Sequence, residues 1–174
     1  MDFSYIYTAK HIVSQNYILR LMTGLDKTDL ELLSLLQENA RYTTKELAAK
    51  VHLSTTPVFE RIKRLEKEGY IKKYMAVVDA EKIGKGFIVF CSIKLKSVSY
   101  EGSESFTSAI SKIPEVTECY NISGAFDYLL KIYAPDMKYY QDFVHKVLGR
   151  LDAVASLEST FVMDEIKTNY GLGV

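Results

Sequence analysis

Only two cysteines, three histidines and three prolines occur among the 174 residues, and the 22 basic and 22 acidic side chains leave no net charge. Cys91 and Cys119 each stand in an apolar run with no CxxC partner, so neither a zinc ribbon nor a disulfide framework fits. They read as small core residues of a protein kept in a reducing compartment. No apolar run approaches the roughly 20 residues that span a bilayer. The first 24 residues lack the continuous apolar stretch of a signal peptide, because Lys10, His11, Gln15 and Asn16 interrupt it. A cytoplasmic protein without a membrane partner is expected. There is no nucleophile, base and acid set, no phosphate-cradling glycine loop and no metal-ligand spacing, which argues against an ordinary enzyme. No cofactor or metal is expected, and His52 and His145 read as helix-surface residues. Internal repeats and low-complexity tracts are absent.

What is present is a soluble, globular balance, with 48% hydrophobic and 25% charged residues. The charge is unevenly placed. From Arg41 to Tyr74 nine basic residues face four acidic ones, whereas from Gly86 onward eight face eleven. A basic block and an acidic remainder suggest two modules, of which one meets a polyanion. The stretch "AEKIGKG" (Ala80 to Gly86), with two glycines and three charges, is a natural hinge. The division expected is an unassigned extension over 1–24, a helical module over 25–75, a linker over 76–86 and a second module over 87–174.

The helical module opens at "LDKTDLELLSLLQ". Asp26 is an N-cap with Asp29 at N3, and Leu25 and Leu30 can form a hydrophobic staple. Leu30, Leu33 and Leu36 continue an apolar stripe. Thr43 and Glu46 make a capping box for a second helix that ends near His52. A third helix starts after Ser54, with Pro57 in its first turn, where it is tolerated. Its apolar face is Val58, Ile62 and Leu65, while Arg61, Lys63, Arg64 and Lys67 lie off that stripe. Helix, short turn and basic helix make a helix-turn-helix layout, whose second helix enters the major groove. Hydroxyls at its start reach base edges or phosphates, and its cations neutralise phosphates. After Gly69, "YIKKYMAVVD" alternates as a short strand or wing would, bearing Lys72 and Lys73.

In the second module, "FIVFCSIKLK" (Phe87 to Lys96) reads as a strand. A helix with Phe106, Ala109, Ile110 and Ile113 follows, then two strands, "VTECYNIS" and "FDYLLKIYA". A helix capped by Asp136 carries Tyr140, Phe143, Val144, Val147, Leu148 and Leu151, and a last strand runs over Ser156 to Thr168. The order β-α-β-β-α-β is the ferredoxin-like arrangement, with both helices on one sheet face. The other face, with Ile88 and Phe90, is expected to be apolar and to pack on a second copy. Between the middle strands, "NISGAFDY" interrupts the apolar pattern with Gly124 and Asp127. A turn accounts for both residues. A ligand loop does so equally.

These residues together resemble the Lrp/AsnC, or feast/famine, family of transcriptional regulators. The likeness rests on the LDxxD opening, "NAR" before the second helix, "LS", "PV", "RIKRLE", "GYI" and "GAFDY" at Gly124 to Tyr128, and it runs from Leu25 to about Asn169. It implies an α+β chain: an N-terminal winged helix-turn-helix, then a ferredoxin-like βαββαβ domain that binds an amino acid. The partners implied are double-stranded DNA, an amino-acid effector and further copies of the chain, as a homodimer or an octamer. By the same likeness, Ser54, Thr55, Thr56 and Arg61 meet bases or their surroundings. Lys63, Arg64, Lys67, Lys72 and Lys73 hold phosphates. The effector site takes Asn121, Ser123, Gly124, Asp127 and Tyr128, with a neighbouring subunit adding Ser159, Thr160 and Val162. A salt bridge inside the helical bundle, to Glu31 or Glu38, is the competing reading for Arg61, and a plain turn for Asp127. Ala40 and Glu60 depart from the pattern, since a glycine and a basic residue are frequent there. Residues 1–21 have no counterpart; their Ile6, Ile12, Val13, Ile18 and Leu19 allow an added helix. An enzyme of the same architecture that decarboxylates sirohaem, and a sensing module without DNA binding, are the rival readings.

Overall fold

The computed structural model describes residues 24–173, so the helix expected near the start lies outside the described residues. The chain divides into two compact units: one runs to Ala76 and includes the stretch from Lys167 onward, and the other spans Val77–Ile166. No helix among the described residues is long and apolar enough to cross a membrane.

The first unit holds α1 (Lys27–Glu38), α2 (Thr44–Lys50) and α3 (Thr55–Lys67). The caps form as expected. Asp26 accepts from the Asp29 amide at 2.9 Å, and the Asp29 carboxylate accepts in return from the Asp26 amide at 3.0 Å. Thr43 and Glu46 do the same for α2, with N···O distances of 3.2 and 2.7 Å. Leu32, Leu47, Ala48, Val51 and Val58 make the core, with Leu35, Leu36, Tyr42 and Ile62 packed against it. The face of α1 differs from the expected stripe. Leu32 is fully buried, whereas Leu30 and Leu33 are only half-buried. Five leucines in seven positions leave the rotation of α1 open; the burial of Asp29 toward α3 settles it.

The strand expected over 70–79 does not form: these residues run without regular secondary structure. The Ile71 amide still bonds the Leu65 carbonyl, and the Tyr74 phenol donates to Glu66 at 3.0 Å. A strand needs a ladder partner, and the described part of this unit contains no other strand.

The second unit comprises β1 (Phe87–Leu95), α4 (Tyr100–Ile110), β2 (Val116–Asn121), β3 (Tyr128–Ala134), α5 (Met137–Lys146), a 3₁₀ turn (Leu148–Arg150) and β4 (Val154–Phe161). The sheet is antiparallel with strand order β2-β3-β1-β4, the ferredoxin-like topology. One face carries Val89, Cys91, Ile93, Leu95, Tyr128, Leu130 and Ile132 into a core completed by Phe106 and Ile110 of α4 and Tyr140 and Phe143 of α5. On the other face Phe90, Leu129 and Tyr133 are half-buried, but Ile88 is 6% exposed, so the chain itself covers it, contrary to expectation. α4 starts earlier than its apolar residues suggest, at a Ser99 cap that accepts from the Gly102 amide. β4 ends at Phe161 rather than near Thr168. Phe161 pairs with Val89 and the Val162 amide bonds the Ile88 carbonyl, so later residues run past the end of β1 and have no ladder partner.

Candidate functional site

Two places carry the candidate chemistry, one in each unit. In the first, Val51 caps the end of α2 and the chain reverses through His52, at φ 55°, before α3 begins. Val58 and Leu65 are fully buried beneath α3. Thr56, Phe59, Glu60, Lys63 and Lys67 emerge on its exposed side. Ser54 occupies the N-cap but makes no capping hydrogen bond, unlike Asp26 and Thr43. Its hydroxyl and the exposed hydroxyls of Thr55 and Thr56 are grouped at the positive end of a 13-residue helix, a geometry suited to phosphate or base-edge acceptors. Lys72 and Lys73 are exposed on the irregular segment beyond α3.

Arg61 and Arg64 take a different course from the lysines. One Arg61 amino group, Nη1, donates to Asp26 and to Asp29, each at 2.7 Å, and Arg64 Nη2 donates to the other Asp29 oxygen. The α1 capping box thus doubles as the anchor for α3. This realises the competing salt-bridge reading of Arg61, with Asp26 and Asp29 as its acids in place of Glu31 or Glu38. Burial alone would raise the Asp29 carboxyl. The hydrogen bonds from Arg64, the Asp26 amide and Arg61 outweigh it and hold the group below the ordinary carboxylate range. Burial pulls Arg61 down, but its bonds to Asp29 and Asp26 leave it raised. Sequence reasoning missed these partners, and it missed Phe59, which is 47% exposed beside the buried Val58. The signal for Phe59 was its place off the Val58, Ile62 and Leu65 stripe.

In the second unit, residues 122–127 form the hairpin connection between β2 and β3, longer than a two-residue turn. Asp127 fastens it to β1. Its backbone amide donates to the Ile93 carbonyl at 2.9 Å, and its carboxylate accepts from the Leu95 amide at 2.8 Å and from Lys94 Nζ at 3.0 Å. Those bonds, from Leu95 first and Lys94 second, hold the carboxyl below its usual range. The Asp127 carbonyl in turn accepts from the Ile122 amide and from Asn121 Nδ2. Between these fixed ends Ser123, Gly124 and Ala125 are exposed, and among the described residues their amides bond nothing. Gly124 lies at φ +131°, a conformation that side-chain-bearing residues rarely adopt. Tyr128, the next residue in the signature, is buried against Phe106, with ring centroids 4.7 Å apart, and so faces the core.

The remaining candidates lie elsewhere in the sheet. Ser159 is on the helix-covered side, its hydroxyl 2.6 Å from the Tyr140 phenol oxygen. Thr160 pairs with Phe90 on the opposite face, and Val162 follows the strand end. The loop sits at the Ile93 end of β1. Thr160 is therefore about 10 Å along the strands and about 10 Å across them from the loop. One chain does not bring the two groups together.

The comparisons with known proteins fall on both units. Residues 25–72 match the family model for winged helix-turn-helix DNA-binding, and residues 88–172 match the model for the Lrp/AsnC ligand binding domain. The chain belongs to the Lrp/AsnC family. Among its relatives, the leucine-responsive regulatory proteins of Klebsiella pneumoniae and Escherichia coli K12 are each 38% identical over 143 residues, covering 82% of this chain and 87% of theirs. Among solved structures, a transcriptional regulator from Neisseria meningitidis in complex with L-Met superposes with a TM-score of 0.82 at 36% identity, over 86% of this chain and 96% of that one. An AsnC family regulator from Agrobacterium tumefaciens gives 0.81 at 36% identity, over 86% and 97%. This Lrp/AsnC chain is accordingly a DNA-binding transcriptional regulator. The sirohaem-decarboxylating reading is set aside, since these relatives are regulatory proteins.

Proposed function

We propose that this regulator works as a dimer or a larger ring of dimers in the cytoplasm, and that an amino acid bound at the 122–127 loop of one subunit adjusts its hold on DNA. The observation that carries the proposal is the loop itself: three exposed residues whose amides have no partner among the described residues, held between fixed ends. Successive free N–H groups suit a carboxylate. An ammonium needs acceptors, and Asn121 Oδ1 and the loop carbonyls supply them, since both Asp127 oxygens are already engaged. Asp127 shapes the loop rather than touching the ligand. Thr160 and Val162 of a second copy complete the wall, while Ser159, bonded to Tyr140 on the helix-covered side, does not reach it. That the Neisseria relative was crystallised with L-Met supports the ligand class.

Self-association is supported by apolar side chains left open to solvent, among them Tyr74, Met75, Val77, Val78 and Tyr120. At the DNA, Ser54, Thr55 and Thr56 meet base edges or phosphates, and Lys63, Lys67, Lys72 and Lys73 neutralise phosphates. Arg61 and Arg64 hold α3 at the correct angle through their carboxylate partners.

Thermal denaturation in the presence of each of the twenty amino acids tests the effector reading. A ligand that binds only the folded chain must raise its apparent stability. One or a few amino acids should raise the midpoint of the second unit, and Gly124→Val should cancel the rise. No shift with any of the twenty would count against it.

A further inference from the structure

We propose that Phe59 reads the C5-methyl groups of thymine in the major groove, making it a specificity-determining residue of this regulator. The inference rests on α3 entering that groove. Phe59 sits in the second turn of α3, one turn beyond Thr56, and is 47% exposed on a helix whose core contacts are made by Val58 and Leu65. It joins neither hydrophobic core. Among the described residues its one ring contact is with a cation: Lys63 Nζ lies 5.7 Å from the ring centroid. An exposed aromatic at a helix surface loses side-chain freedom against the preceding turn and gains little from burial. Set in the outward face of α3, it is placed to meet what that helix binds.

The neighbours select the partner. Lys63 and Lys67 are exposed on the same side and bring phosphates close. Glu60, adjacent and exposed, has no ion pair among the described residues, and a carboxylate there is repelled by phosphates. Phe59 and Glu60 therefore suit base edges, flanked by cations that suit the backbone. On the major-groove edges of the four bases the thymine methyl is the apolar feature, and a phenyl ring is one of the groups that contacts it. The sequence pattern points the same way, because Phe59 interrupts a polar face without belonging to the buried stripe.

The test compares two preparations of the DNA upstream of the chain's own coding sequence, one made with thymine and one with uracil, which differ only in that methyl. The full-length protein should bind the thymine fragment at least about fourfold more tightly, the worth of one apolar carbon removed from water. Phe59→Ala should bind both fragments alike, while Phe59→Leu, which keeps an apolar side chain, should retain part of the preference. The dependence of affinity on salt should be unchanged by Phe59→Ala, because an apolar contact releases no counterion. Equal binding of both fragments by the unaltered protein, or an undiminished preference in Phe59→Ala, would overturn the assignment. So would a loss of self-association in Phe59→Ala, which would place the ring at a protein interface. Absence of any salt-dependent binding to either fragment would instead sink the DNA reading of α3, and this proposal with it.

Discussion

Asp29 ties α1 to α3, and replacing it with asparagine separates its roles. The side chain is 1% exposed and accepts three hydrogen bonds, from Arg61, Arg64 and the Asp26 amide. Removing one partner of a buried ion pair costs about 3–5 kcal/mol. Two features reduce that here. Asparagine keeps one carbonyl acceptor, and the arginines are 28% and 38% exposed, so solvent can rehydrate them. Arg61 also keeps Asp26. A loss of about 2–3 kcal/mol for α1–α3 is expected, or a roughly 30- to 150-fold increase in their opening. Hydrogen exchange read by peptide is the suitable assay, because a chain of two units need not unfold in one step. The amides of α1 and α3 should exchange faster by that factor while those of β1 and β3 stay unchanged. The pH dependence has a definite sign. A carboxyl depressed in the folded state stabilises fully above its unfolded value, near 3.8, and loses that contribution as pH falls through the folded value. Wild type and Asp29→Asn should therefore converge on acidification below about pH 4. Unchanged exchange of α1 and α3 in Asp29→Asn at neutral pH would refute the anchoring argument.

Three further outcomes follow from the same geometry. Lys63→Ala should reduce the slope of log affinity against log salt by about 0.9 for each phosphate it no longer neutralises, measured by anisotropy of labelled upstream DNA; an unchanged slope would remove Lys63 from the phosphate set. Glu60→Gln should tighten non-specific binding at low salt, because it removes a negative charge from the exposed side of α3. His52→Gly should stabilise the first unit by about 1 kcal/mol, since the left-handed conformation at φ 55° costs a side-chain-bearing residue about that much; a loss in chemical denaturation would show that the imidazole makes a compensating contact.

How much of this was readable from the chain depends on the range of each interaction. The caps at Asp26, Thr43 and Asp136 depend on residues three apart, and each forms where its spacing places it. The βαββαβ order is likewise written in local periodicity. Long-range partners were not readable. The rotation of α1 depends on Arg61 and Arg64, more than 30 positions away, and a leucine-rich helix does not reveal it. The end of β4 depends on where β1 begins, and the missing strand at 70–79 on a partner that the described unit does not contain. Ser99 could have announced α4, but Gly102 in the first turn disguises it. At the loop, Gly124 and Asp127 stood out at once as an anomaly. Only the folded chain separates their roles: the glycine carries the unusual φ, and the acid pins the loop to β1.

The loop at Gly124 and the helix at Ser54 are proposed to belong to one device, and that is the central claim. Binding coupled between two sites is reciprocal, so an effector that alters DNA affinity must itself bind with an affinity altered by DNA. The decisive measurement is the dissociation constant for the upstream DNA with and without the amino acid selected by thermal denaturation, for wild type and for Gly124→Val. The account predicts a shift of about 5- to 150-fold in wild type and none in Gly124→Val, with the same affinity for both when no amino acid is present. A Gly124→Val protein that still responds to the amino acid as wild type does would contradict it.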